Sequence, residues 1–111
     1  MSEHPTINVF KPDVYPGSKA FHILLALVKG PACGTDINRL ILADTLARAY
    51  LSRTTLYREL DRLRAYGYVE FVGVHGSEKV LALTFAGRQA LEREVRLMMD
   101  MTAMARRRLK I

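Results

Sequence analysis

The chain has 111 residues and a mass of 12.6 kDa, which suits one domain and excludes two independent catalytic domains. Half of the residues are hydrophobic and a quarter are charged, a balance typical of a folded globular protein. Because 17 Lys and Arg outnumber 11 Asp and Glu, the net charge is +6. This charge favours a polyanionic partner such as DNA, RNA or an anionic membrane.

Several protein classes are disfavoured by missing motifs. The longest apolar run, residues 21–28, is far shorter than the ~20 residues of a membrane span, and residues 1–12 lack a secretion-signal pattern, so we expect a cytoplasmic protein. The single cysteine, Cys33, is expected to be a small buried residue, and His4, His22 and His75 are too scattered to form a metal site. Without a catalytic constellation or a glycine-rich phosphate loop, we expect no enzyme, cofactor or metal.

The first part of the chain predicts an arm followed by one helix. Prolines at positions 5, 12 and 16, with Gly17, oppose a long helix and predict an extended arm over residues 1–18. Ser18 is a good N-cap, and apolar residues at helical spacing predict a first helix from Lys19 to Lys29. Gly30 and Pro31 end this helix.

Two further helices are predicted next. Thr35 is a candidate N-cap for a second helix that ends between Ala43 and Tyr50. The third helix begins after Ser52 and ends at Gly67. Its core-facing positions, at i, i+4 and i+7, are Leu56, Leu60 and Leu63.

A β-hairpin and a long helix complete the chain. The β-compatible runs 68–74 and 79–83 are separated by a polar turn over residues 75–78. Thr84 can cap a last helix that runs to Leu109. The fold class is therefore mainly α with a small β-hairpin wing (α+β), a winged helix-turn-helix with a long C-terminal helix. We divide the chain into the arm at 1–18, the winged helix-turn-helix domain at 19–84, and the C-terminal helix with its basic tail at 85–111.

The third helix carries the candidate DNA-binding face. Opposite its leucine stripe it presents polar and cationic side chains, which suit a DNA groove because arginine reads guanine or grips phosphate. The predicted contacts on this helix are Arg53, Thr54, Thr55, Tyr57, Arg58 and Arg62, and those at the wing tip are His75, Ser77 and Lys79. The alternative is an ordinary solvated face, with the arginines paired to neighbouring acids and a polar turn that only joins two strands.

Three segments of the chain carry motifs of one known family. They are Ile23-Leu24-Leu25-Ala26-Leu27-Val28-Lys29-Gly30-Pro31 with Gly34 and Ile37; Leu51-Ser52 with Thr55-Leu56-Tyr57-Arg58-Glu59-Leu60-Asp61-Arg62-Leu63 and Gly67-Tyr68-Val69; and Leu83-Thr84 with Ala86-Gly87-Arg88 and Ala90-Leu91-Glu92. In order and spacing they resemble the PadR-like regulators, in their short form with a single C-terminal helix. The chain departs from the family pattern at Cys33, Thr35, Asp36 and Arg53-Thr54, and the wing lacks the Arg-x-Tyr-Tyr run. The resemblance implies a homodimer that represses transcription by occupying an operator.

The last helix has its own apolar stripe, which supports a dimer independently of the resemblance. The predicted dimer-interface residues are Leu91, Val95, Met98, Met99, Thr102, Ala105 and Leu109, with Met101 and Met104 widening the apolar surface. The stripe could instead pack on the first helix or bind a small apolar ligand. The cationic tail (Arg106, Arg107, Arg108 and Lys110) either adds phosphate contacts or keeps the terminus in solution.

The expected function is sequence-specific binding of double-stranded DNA by a homodimeric transcriptional repressor, on a roughly palindromic operator. The alternative is a winged-helix module that binds another protein and not DNA. A pocket for a small-molecule effector could be lined by Phe21, Tyr50, Tyr66 and Phe85, although aromatic residues at such positions are more often core.

Overall fold

A computed structural model of the chain describes residue 14, residues 18–46 and residues 50–111. The elements in chain order are helix α1 (Lys19–Ala26), strand β1 (Ala32–Cys33), helix α2 (Gly34–Asp44), helix α3 (Arg53–Ala65), strands β2 (Val69–His75) and β3 (Glu78–Leu83), and helix α4 (Phe85–Leu109). This order confirms the predicted α+β winged helix. The predicted arm lies outside the described residues except for Val14 and Ser18. Within the described ranges, no helix is both long and apolar enough to cross a bilayer.

Three helices begin at side-chain caps that the sequence predicted. The hydroxyl oxygen of Ser18 accepts the Phe21 N–H at 3.0 Å, and that of Ser52 accepts the Thr55 N–H at 3.1 Å. The Thr84 hydroxyl accepts the N–H of residue 87 at 3.0 Å. Each bond satisfies one of the N–H groups that the first turn of a helix leaves without an intrahelical partner.

Two predicted helix limits were wrong. α1 ends at Ala26 rather than Lys29, because the chain then tightens into turns in which Leu27 donates to the Leu24 carbonyl and Gly30 to the Leu27 carbonyl. Helix α2 begins at Gly34, so Thr35 lies inside the helix and is not its N-cap. Both the N–H and the hydroxyl of Thr35 donate instead to Glu78, which lies 43 residues further along the chain.

The sheet has three antiparallel strands in the order β1-β3-β2, one more than the predicted hairpin. β1 is only two residues long and pairs Ala32 with Leu81 and Cys33 with Val80. The turn is also shorter than the predicted 75–78, because His75 and Glu78 are paired as strand residues. Only Gly76 and Ser77 connect them, and Gly76 supplies the left-handed φ of +63° that this tight turn uses.

The hydrophobic core lies between the first three helices, the sheet and the start of α4. The leucine stripe predicted on α3 is confirmed, since Leu56, Leu60 and Leu63 are all buried. Cys33 is buried as predicted. The core therefore fixes α3 with one face inward and leaves the opposite face to solvent.

The fully buried residues of helix α4 lie in its first two turns, and Met98 further along is half-buried against the same core. Gly87, Ala90 and Leu91 are its buried residues. A Cβ at position 87 would overlap the carbonyl oxygen of Tyr68 and would lie 2.9 Å from a methyl carbon of Leu83, so only glycine allows this close approach.

Candidate nucleic-acid interface

Helix α3, the candidate recognition helix, is anchored at its start by a side chain of α2. The amide nitrogen of Asn38 donates to the Leu51 carbonyl at 2.8 Å, and its amide oxygen accepts the Leu51 N–H at 3.2 Å. Ser52 caps the helix immediately afterwards. These bonds fix where α3 begins relative to α2, and hence where the first outward-facing residues lie. Sequence reasoning missed Asn38, because its partner lies 13 residues away and nothing local marks an Asn–backbone clamp.

Three predicted contact residues near the start of α3 point outward. Arg53, Thr54 and Arg58 are exposed, and no ion pair engages either arginine within the described part of the chain. They lie opposite the buried leucines, as the helical period requires. The guanidinium groups of Arg53 and Arg58 therefore lie on the exposed side of the N-terminal half of the helix. This is the half that enters the major groove in helix-turn-helix docking.

The other predicted residues of α3 are partly engaged within the chain. Arg62 forms an ion pair with Glu59 at 3.3 Å, as the alternative interpretation of a solvated face foresaw. Thr55 is half-buried, and its hydroxyl oxygen accepts a hydrogen bond from the Ser52 hydroxyl at 2.9 Å. Their side chains are less available to DNA than those of Arg53 and Arg58.

Tyr57 links the recognition helix to the wing. Its hydroxyl donates to a carboxylate oxygen of Glu78 at 3.4 Å, and the Arg53 guanidinium lies over its ring, 5.4 Å from the centroid. Partial burial, followed by the nearby negative charge of Glu78, raises the pKa of the Tyr57 phenol. The ring therefore stays neutral and serves as a platform for Arg53.

The Glu78 carboxylate joins the start of strand β3 to the start of α2. One oxygen accepts the Thr35 N–H at 3.1 Å, and the other accepts the Thr35 hydroxyl at 2.7 Å. These hydrogen bonds from Thr35 lower the pKa of Glu78, so the carboxylate is charged near neutral pH. A carboxylate at this position also complements the positive end of the α2 dipole.

The wing tip carries the three remaining predicted contact residues. His75, Ser77 and Lys79 are all exposed around the Gly76-Ser77 turn. Phe71 and Val74 on strand β2 are exposed as well, so this hairpin projects from the core. A projecting, polar-tipped hairpin beside an exposed recognition helix is the geometry expected of a winged helix on DNA.

A groove of about 310 Å³ runs between α2, α3 and Glu78 of the wing. Its lining includes Asn38, Tyr50, Arg53 and Tyr57. It contains none of the other three residues proposed for an effector pocket, namely Phe21, Tyr66 and Phe85. Phe21 is buried in the core, whereas the side chains of Tyr66 and Phe85 are exposed.

Solved structures of other proteins share this geometry. No protein-family model and no curated protein matches the chain. Among solved structures, a PadR-like transcription factor from Bacteroides fragilis is 25% identical with a TM-score of 0.68, over 79% of this chain and 86% of that one. PadR of Bacillus subtilis, solved in complex with operator DNA, is 26% identical with a TM-score of 0.60, over 68% of this chain and 45% of its own.

The chain is similar in fold to PadR-like transcriptional regulators. A transcriptional regulator from Clostridium thermocellum shares its fold, with 21% identity and a TM-score of 0.67 over 80% of this chain and 90% of that one. The chain spans less than half of the length of the Bacillus protein but most of the other two.

Beyond Leu91, helix α4 has no further fully buried residue among those that the structure describes. Of the predicted dimer-interface residues, Leu91 is buried in the chain's own core, and Met98 is half-buried against it. Those on the exposed part of the helix are Val95, Met99, Thr102, Ala105 and Leu109. Leu91 therefore has little surface to offer a partner.

The exposed apolar surface of α4 includes part of the predicted stripe, since Met98, Thr102 and Ala105 line its groove, and it extends beyond the stripe to Leu97. Leu97, Met98 and Met101 line a shallow groove of about 400 Å³, and Met101 and Met104 continue it toward the end of the helix. Leu97 was not among the predicted interface residues. At 100° per residue it lies next to Met101 and Met104, and this apolar neighbourhood was the signal that could have found it.

Proposed function

We propose that this PadR-like protein is a sequence-specific transcriptional regulator that binds double-stranded DNA as a homodimer and represses by occupying a roughly palindromic operator. The observation that carries the proposal is the outward face of α3, where Arg53, Thr54 and Arg58 are exposed at the N-terminal half. The solved complex of Bacillus subtilis PadR with operator DNA supports DNA as the partner.

The chemistry of this face fits a nucleic-acid groove. Arginine can donate two hydrogen bonds to guanine N7 and O6, and threonine can bond phosphates or base edges. The cationic stacking of Arg53 on Tyr57 holds one guanidinium near the helix start, and Arg58 follows more than one turn later. His75, Ser77 and Lys79 would then meet the adjacent backbone or minor groove.

The proposed dimer is supported by the C-terminal half of α4, residues 97–109, which we call the bare half. Leu97, Met101 and Met104 are about half-exposed, and Leu109 is more so, which is a large apolar surface for one small domain to leave in water. A second copy of the same helix would cover it and would bring two recognition helices onto one duplex. With twofold symmetry, the two half-sites would be inverted repeats about one helical turn apart or a multiple of it.

Replacement of Arg58 by alanine tests the DNA-binding face. We expect Arg58→Ala to weaken binding to a selected duplex by about 5- to 150-fold, equivalent to ~1–3 kcal/mol for a base contact. The measurement is fluorescence anisotropy with labelled duplex across a salt series, where log K should fall linearly with log salt. Arg53→Ala should also weaken binding.

The matched control is Arg93→Ala, which removes the same charge from an exposed position on α4. It should leave the affinity nearly unchanged, because Arg93 lies off the proposed interface. If the wild-type protein binds no duplex even at low salt, the DNA-binding proposal is wrong, and a protein-interaction module becomes the better account. Equal losses in the Arg58 and Arg93 variants would show attraction by net charge alone.

A further inference from the structure

The outer part of the wing has little support from the sheet. Strand β1 pairs with β3 only at Val80 and Leu81, so residues 74–79 form a two-stranded ribbon beyond the third strand. An irregularity in the β2–β3 register between Phe71 and Gly73 also interrupts the ladder. An isolated two-stranded ribbon is only marginally stable in water, so the tip needs another attachment to hold one orientation.

Glu78 supplies that attachment. Its two carboxylate oxygens accept three hydrogen bonds from the helix-turn-helix, namely from the N–H and hydroxyl of Thr35 and the hydroxyl of Tyr57. Thr35 lies in the first turn of α2, and Tyr57 lies on α3. One side chain at the start of β3 therefore contacts both helices of the helix-turn-helix. A charged acceptor makes such bonds stronger than neutral ones.

The same carboxylate also acts on Arg53. The Arg53 guanidinium is stacked on the Tyr57 ring at 5.4 Å, and the ring hydroxyl bonds to Glu78. Attraction between the guanidinium and the carboxylate adds to the stacking. The conformation of a proposed base-reading side chain is thus tied to the position of the wing.

A negative charge on a surface that meets DNA lowers affinity for every sequence, since it repels phosphate. Glu78 would carry this cost wherever the protein binds. The cost is offset where a fixed wing and a fixed Arg53 improve discrimination between the right and the wrong sequence. Specificity is the difference in binding free energy between the operator and other DNA sequences.

We propose that Glu78 is a positioning residue that determines DNA specificity, by latching the wing tip to Thr35 and Tyr57 and by holding Arg53 in its stacked conformation. This role in specificity rests on the proposed DNA-binding function. It predicts that loss of the carboxylate loosens the wing, and that the ratio of specific to non-specific affinity then falls even though non-specific binding gains from the removed charge.

The test compares Glu78→Gln with Glu70→Gln, a matched loss of one exposed wing carboxylate on β2. The probes are the tightest duplex selected from a random library of about 30 base pairs, long enough for two half-sites, and a scrambled version of it. We expect Glu78→Gln to lower the ratio of the two affinities by about fivefold, the low end for one arginine base contact. Glu70→Gln should leave the ratio unchanged.

A second variant separates positioning from charge. Thr35→Val removes the hydroxyl donor of the latch without changing any charge. It should lower the same ratio, and the double variant Thr35→Val/Glu78→Gln should lose less than the product of the two single losses, because both act on one latch. Independent, multiplicative losses would overturn a shared role.

A DNA-free measurement separates failure of the latch from failure of the proposed function. Hydrogen exchange followed by mass spectrometry should show faster exchange in peptides covering residues 34–38 and 74–79 of Glu78→Gln, and no change in Glu70→Gln. Exchange equal to that of the control, or an unchanged affinity ratio, would overturn the latch. If no duplex binds wild-type protein, the proposed function fails, and the specificity role fails with it, whatever exchange shows.

Discussion

The two halves of helix α4 have similar apolar side chains and opposite surroundings. Near its start, Ala90 and Leu91 are buried with Gly87 against the wing and α1. From residue 99 to the end of the chain every residue is exposed, including Met99, Met101 and Leu109. One continuous helix therefore begins packed in the hydrophobic core and ends with its apolar side chains exposed to water.

The difference shows that apolar residues on one helix can serve two distinct purposes. In the first half they stabilise the fold of a single chain, since their burial removes apolar surface from water. From residue 99 onward they lie outside the core of the described residues, and an exposed apolar surface of this size is typical of an interaction site. The following substitutions separate these two roles.

The largest expected effect is that of Leu60→Ala in the core of the recognition helix. Leu60 is 1% exposed, so the truncation leaves a cavity and should lower the free energy of unfolding by about 2–5 kcal/mol. Its counterpart is Leu97→Ala on the bare half of α4, where Leu97 is 51% exposed. Denaturant unfolding at several protein concentrations checks both variants.

Protein concentration distinguishes the losses of unfolding free energy in Leu60→Ala and Leu97→Ala. The loss in Leu60→Ala should be present at every concentration, because the core belongs to one chain. Any loss in Leu97→Ala should vanish on dilution, since it acts through association of two chains. A concentration-independent loss of several kcal/mol in Leu97→Ala would mean that the bare half packs on its own chain.

A smaller loss is expected where α4 meets the wing. Gly87→Ala places a methyl group against the backbone carbonyl of Tyr68, which cannot move aside as a flexible side chain would. We expect this overpacking to cost about 1–3 kcal/mol of unfolding free energy in a thermal or denaturant melt.

Gly73→Ala is the control, because no atom lies within 4 Å of the Cβ it would add. Its stability should stay within about 0.5 kcal/mol of wild type. Equal stability of the two variants would show that α4 does not depend on the close approach at Gly87.

The features that could be predicted from the sequence depend on residues close together in the chain. Ser52 and Thr84 were recognisable as caps because each bonds the N–H three residues later. The leucine stripe of α3 follows from the helical period. These local rules located α3 and the start of α4, and with them the exposed positions of Arg53 and Arg58.

The features that could not be predicted depend on contacts between distant segments. β1 has only two residues and forms because Ala32 and Cys33 lie beside strand β3, which the local pattern does not reveal. The hydrogen bonds between Thr35 and Glu78 join residues 43 positions apart, and the sequence around either residue gives no sign of this contact. The burial of Leu91 likewise depends on where the helix leaves the core, which its apolar stripe alone does not indicate.

The most direct test of the account counts the chains bound to one duplex. Light scattering on complexes with the selected duplex should give a protein mass of twice the 12.6 kDa chain for wild type. Met101→Asp, which places a charge in the exposed apolar groove of α4, should shift the free protein to a single chain and weaken DNA binding while the core stays folded. A wild-type complex with one chain per duplex, or a Met101→Asp variant that still pairs as wild type does, would contradict the proposed division of labour between the two halves of α4.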